Sequence, residues 1–166
     1  MRNHIFNGGI FIFVLVWIVV IFYLSSQPYQ KQTIIPYLKS HLSENSLKNK
    51  LPDVTINYNK IHIVAKKQPF HFMEFLFRKS AHFFVYGVLG LLISLALSSY
   101  KGNPAWKIFI VVIFTAIIAV MDEWNQSASS SRTGVIQDVG VDLAGSCIGL
   151  ALGMAIVKLK NLGRRV

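Results

Sequence analysis

Asp122, Glu123, Gln126, Arg132, Asp138 and Asp142 lie in one stretch whose two flanks are apolar enough to sit in lipid. The chain carries 7 acidic residues in all, and four of them are here. Charge at membrane depth is costly and is rarely accidental. Upstream, Arg78, His82 and Tyr86 recur at a spacing of four and so share one helix face, with Lys79 on a neighbouring track. A histidine beside carboxylates can move protons, a tyrosine can donate a hydrogen bond, and arginine and lysine can hold an anion. These types suggest a division of roles. His82, Glu123 and Asp122 form the proton-transfer group. Lys79, Arg132, Tyr86 and Gln126 surround a bound anionic group, and Arg78, Asp138 and Asp142 orient the others.

A bland reading stays open on the same residues. Arg78, Lys79 and Arg132 would neutralise the four acids as ion pairs tying helix ends together, each member costly to remove alone. On ligand type, His82 with Asp122, Glu123, Asp138 or Asp142 could also take a metal. One histidine with several acids is not diagnostic, so no metal and no cofactor is assigned. The serines from Ser127 to Ser131 match no nucleophile motif and read as a turn. His41, His62 and His71 read as surface or interface residues.

The elements that must position these groups are apolar runs. Residues are 53% hydrophobic and 14% charged, against about 25% charged in a soluble domain. The chain therefore reads as a multi-pass membrane protein. Arg2 and His4 precede a run from Ile5 to Leu24, long enough to span and followed by bulky and polar residues, not a cleavage site. Further spans are expected at about 80–98, 105–124 and 139–159, with Gly102 and Pro104 breaking the second from the third. The expected fold is an all-α membrane protein: an antiparallel four-transmembrane-helix bundle with a small polar α/β insert between helices one and two. Its parts are a first helix (1–25), a basic extracytoplasmic insert (26–79), a three-helix core (80–160) and a basic tail (161–166).

The insert should hold short amphipathic helices between Ile34 and Lys50, and a hairpin whose strands alternate through Val54, Ile56 and Tyr58, then Ile61, Ile63 and Ala65. Too short to bury much core, it is expected to rest on the membrane or the spans. Pro69 to Phe77 reads as an interfacial aromatic stretch leading into the second span. In the fourth span, the face bearing Asp138 and Asp142 continues through Gly145, Gly149 and Gly153, a surface that admits another backbone closely. It would serve a homo-oligomer as well as an internal contact. Such packing turns both acids into the bundle.

The net charge of +10 comes from scattered basic residues without a nucleic-acid reader motif, so no nucleic-acid partner is expected. Lys and Arg here suggest anchors and contact with membrane lipid. The single cysteine, Cys147, reads as a small packing residue. A bare count of basic residues puts ten of 17 on the face of the long insert and does not favour N-inside. Lys158, Lys160, Arg164 and Arg165 nevertheless form the densest basic cluster next to a span, and on that cluster both termini are expected in the cytoplasm and the acids toward the outer face.

With this pattern in view, the chain resembles the VanZ-like membrane protein family, named for a factor associated with teicoplanin resistance in Gram-positive bacteria. The resemblance rests on Ser25-Ser26-Gln27, Arg78-Lys79-Ser80-Ala81-His82-Phe83 with Tyr86-Gly87, Asp122-Glu123 with Gln126, Arg132, Asp138, Asp142, and Gly145 with Gly149. It covers spans two to four well and span one loosely, and leaves out 28–77. Where the family tends to show a Phe and a Pro-Gly, this chain has Ala128 and Ser129-Ser130-Ser131. The resemblance implies a cell-membrane protein linked to lower susceptibility to teicoplanin-type lipoglycopeptides. A lipid-linked envelope precursor or the lipoglycopeptide itself would be its partner at the outer leaflet. A non-enzymatic scaffold or anionic-lipid-binding module acting through 28–77 is the alternative. A proton-coupled transporter ranks third, because the acids lie at span ends and only Ser94 and Thr115 are polar near mid-span in spans two and three.

Overall fold

The computed structural model describes residues 2–59, 61–100, 102–128 and 136–163, with side chains from Gly9 onward. The chain is mostly helical. Its elements are α1 (Arg2–Ser25), α2 (Tyr29–Gln32), α3 (Ile35–His41), α4 (Glu44–Lys50), β1 (Thr55–Tyr58), β2 (Ile61–Val64), α5 (Pro69–Ala96), α6 (Pro104–Ala128) and α7 (Ile136–Leu162). Among the described residues, 3 helices are long and apolar enough to cross a membrane, and up to 4 spans result if α1 and the short helices after it are taken as one broken span. The antiparallel four-helix bundle is thus matched at the level of a helical protein with several apolar spans. Outward-facing Phe109, Ile117, Leu152 and Phe84, all exposed, are what lipid-facing helix surfaces require.

Two compact units make up the chain: residues 1–26 with 82–166, and residues 27–81. The second unit has its own small core of Ile63, Ala65 and Phe72, with Leu51, Ile56, Met73 and Phe75 around it. Phe72 is buried in this core, which explains why α5 begins at Pro69, well before the expected start of the second span. Proline is at home in that first helical position because its missing N–H has no intrahelical acceptor. β1 and β2 pair antiparallel with Thr55 opposite Val64 and Tyr58 opposite Ile61. The turn uses Asn59 at φ 53°, a left-handed conformation that asparagine tolerates well. Ser43 caps α4 by accepting from the Ser46 amide at 3.1 Å. Arg78 lies over the Tyr29 ring, and the Lys79 ammonium lies 4.3 Å from the centre of the Tyr58 ring and close to Phe75. Glu74, which the sequence reading passed over, is buried and accepts from Thr33 Oγ1 at 2.8 Å.

In the first unit, the core joins Val14 and Ile21 of α1, Tyr86, Leu89 and Ile93 of α5, Val111, Ile118 and Ala119 of α6, and Leu150 of α7. The indole of Trp17 donates to the Val85 carbonyl at 2.9 Å, tying α1 to α5. Asn103 accepts from the Ala105 amide at 2.9 Å and so starts α6, with Pro104 at its first position. Thr115 and Ser146, both buried, share a hydrogen bond at 2.9 Å between α6 and α7. Thr115→Val keeps the shape but strands the Ser146 hydroxyl. A loss of about 1 kcal/mol is expected, as for other hydrogen bonds between membrane helices. Adding Ser146→Ala should recover most of it, read by chemical unfolding in micelles.

The glycine stripe of α7 is taken up inside the chain. A side chain on Gly145 would run into the Phe83 backbone, and one on Gly149 would run into the Gly87 carbonyl and come within 2.8 Å of the Leu91 amide. On Gly153 it would approach Ser94 Oγ to 2.6 Å. These contacts advance together along both helices, so α5 and α7 run in the same direction with their backbones touching. Gly87 and Gly90 are packing positions in the same contact. Cys147 falls on the other side of α7 and is exposed, so it does not pack in the bundle as the sequence suggested.

Candidate functional site

The close α5–α7 contact fixes which side chains meet at its end. Glycine packing brings the turn of α5 that carries His82 against the first turns of α7, and His82 Nδ1 lies 3.1 Å from Asp142 Oδ1. Asp142 is fully buried, and the His82 side chain is 17% exposed. α6 runs opposite to α7: Thr115 meets Ser146, and further along α6 Asp122 and Glu123 reach the level of Asp142. One ligand-type atom from each of His82, Asp122, Glu123 and Asp142 falls within 4.8 Å of the others. Residues far apart in sequence therefore meet at one point, held by three helices.

Asp122 is also fixed from behind. Gln126, one turn after Asp122, donates its amide to Asp122 Oδ2 at 3.2 Å. The Ser25 hydroxyl, from the end of α1, donates to the Asp122 backbone carbonyl at 3.5 Å and accepts from Asn125 Nδ2 at the same distance. Tyr86, one turn beyond His82, is 1% exposed, and its hydroxyl is buried near Asp122 with no hydrogen bond of good geometry among the described residues. Asp138 sits buried in the first turn of α7, where the positive end of the helix dipole favours an acid.

Of the residues singled out in the sequence, the structure brings together His82, Asp122, Glu123 and Asp142, with Gln126 bonded to Asp122. Tyr86 and Asp138 are buried in the same unit, and Gly145, Gly149 and Gly153 form the wall described above. Arg78 and Lys79 belong to the unit of residues 27–81 and make ring contacts there. Arg132 lies outside the described residues. Ser25, Asn125, Thr115 and Ser146 add to the site beyond the site residues that the sequence singles out. The signal for Ser25 was its place at the exit of an apolar run. That for Thr115 and Ser146 was a hydroxyl in the middle of one.

Chemically, the arrangement is an imidazole held by one carboxylate with two more beside it, in a setting largely screened from water. Such a group can pass a proton or hold a positive charge. The fold and the cluster together define a helical membrane protein with an ionisable site buried between spans. A family model for VanZ/LLP1 matches residues 10–158, so the chain belongs to the VanZ/LLP1 family. Neither the curated proteins nor the solved structures gave a match.

Proposed function

We propose that this VanZ/LLP1 protein acts at the outer leaflet of the cell membrane on a lipid-linked or amphiphilic anionic envelope component, and thereby lowers susceptibility to teicoplanin-type lipoglycopeptides. The observation that carries the proposal is the buried His82–Asp142 pair with Asp122 and Glu123 beside it. Ionisable side chains are kept between membrane helices chiefly where they act on something. In this reading His82, oriented by Asp142, exchanges a proton with Glu123. Gln126 holds Asp122, and Tyr86 lines the same site. Lys79 and Arg132 engage the anionic headgroup, and Arg78 and Asp138 orient the basic groups. Both termini are cytoplasmic and the spans alternate in direction, as the basic residues after α7 suggest.

The test is carriage by a teicoplanin-susceptible Gram-positive host. The native chain should raise the inhibitory concentration of teicoplanin, and Glu123→Gln should abolish that protection at an unchanged membrane level. Native protein that inserts well yet leaves teicoplanin sensitivity untouched would end the proposal.

The compactness of residues 27–81 favours a second reading, an envelope scaffold or anionic-lipid-binding module. That segment has nine basic residues between 31 and 79. Protection that persists when 28–77 is replaced by a short linker removes its support.

A further inference from the structure

We propose that His82, Asp122, Glu123 and Asp142 form a binding site for one first-row divalent transition-metal cation, of the Zn(II) or Mn(II) class. In a metal centre with bonds of about 2.1 Å, neighbouring ligands stand about 3 Å apart and opposite ones about 4.2 Å. The four ligand atoms here lie within 4.8 Å of one another, and His82 Nδ1 and Asp142 Oδ1 are 3.1 Å apart. Side-chain adjustments of up to about 1–2 Å in the widest pairs would put all four around one ion.

Charge points the same way. Within the cluster three carboxylates face one imidazole, which is positive only when protonated. A divalent ion placed among buried acids offsets two negative charges at once.

Two further buried atoms lead to a ligand independently. Asp142 is fully buried, and while its Oδ1 meets His82, its Oδ2 has no hydrogen-bond partner among the described residues. The Tyr86 hydroxyl, equally buried, has none either. Groups left this way in a protein interior commonly mark a bound ion or water. A cation takes the Asp142 oxygen directly, and water bound to the cation can accept from Tyr86. The supporting shell is already present: Gln126 holds Asp122 Oδ2, as outer partners of metal ligands do. The single imidazole selects against magnesium and calcium, which prefer oxygen alone, and for first-row transition ions, which take imidazole and carboxylate together.

This inference deepens the reading of the site given above but is tested without it, since binding is measured on purified protein and protection in cells. With the cation bound, His82 and Glu123 serve as ligands in place of the proton exchange given to them above, and an anionic headgroup would meet the metal.

The full-length protein in detergent micelles, stripped with EDTA and dialysed, is titrated with Mn(II) and Zn(II). Zinc is followed by competition with a chromophoric chelator, and free manganese by its magnetic resonance signal. One ion per chain is expected, with at least a tenfold loss of affinity in Asp142→Asn and in Glu123→Gln. Glu74→Gln, in the other unit, should bind as the native chain does. Pulsed resonance of bound Mn(II) supplies a readout that needs no change at the site. In a chain whose other histidines (His4, His41, His62 and His71) are replaced by alanine, one imidazole nitrogen should still couple to the metal. Absence of stoichiometric binding overturns the proposal. So does binding that survives both site variants, or a bound metal with no nitrogen coupling.

Discussion

Gly149→Ala is expected to destabilise the protein by about 3 kcal/mol or more, while Gly140→Ala leaves it unchanged or stabilises it by up to about 1 kcal/mol. The two substitutions add the same methyl group to the same helix. At Gly149 the methyl meets the Gly87 carbonyl and the Leu91 amide, which are backbone atoms and cannot turn aside as a side chain would. The two helices must separate along their whole contact, and with them the Phe83–Gly145 and Ser94–Gly153 approaches. At Gly140 nothing lies within 4 Å, so only the greater helix propensity of alanine is felt. Unfolding in mixed micelles, read by tryptophan fluorescence, compares the two directly. Equal stability of the pair would mean that α5 and α7 do not touch through their backbones.

His82→Ala should cost about 3–5 kcal/mol, the range found when one member of a buried ion pair is removed and the other is left. The reason lies in Asp142, which is fully buried and has His82 as the partner of its Oδ1. Adding Asp142→Asn removes the stranded charge, and the double variant should recover more than half of the loss. A double-mutant cycle gives the coupling. Additive effects would show that the two side chains do not act as a pair.

How much of this could be read beforehand differs from element to element. The long helices were legible because apolar runs bounded by Gly102, Pro104 and charged ends leave little choice. The strand pair was legible from alternation. The spacing of Gly145, Gly149 and Gly153 announced a close helix contact, though not its occupant: a stripe of small residues says that a backbone approaches, and only the fold says that it is α5. The start of α5 was hidden for a related reason. Phe72 looks interfacial in an aromatic run, and only the hairpin residue Ile63 in the same cluster makes it core.

The site was legible in its membership more than in its pairings. Spacing of three or four places groups on a shared face of one helix, but bonds between helices depend on register, which no single run contains. Thus His82 meets Asp142 across helices, while Gln126 meets Asp122 within one. Glu74 was overlooked because its partner, Thr33, lies 41 residues earlier.

The backbone contact of α5 with α7 also decides what can open. With no side-chain cushion between them, the two helices cannot rotate or slip past each other by a turn without forcing side chains into carbonyls, so they behave as one stiff plate. Any passage that admits a bulky lipid to His82 must part at a looser seam. The hydroxyl and indole contacts of α1 with α5 and α6 are such a seam. A cross-link that fastens α1 to α6 should therefore block any such entry, whereas one joining α5 to α7 should change nothing.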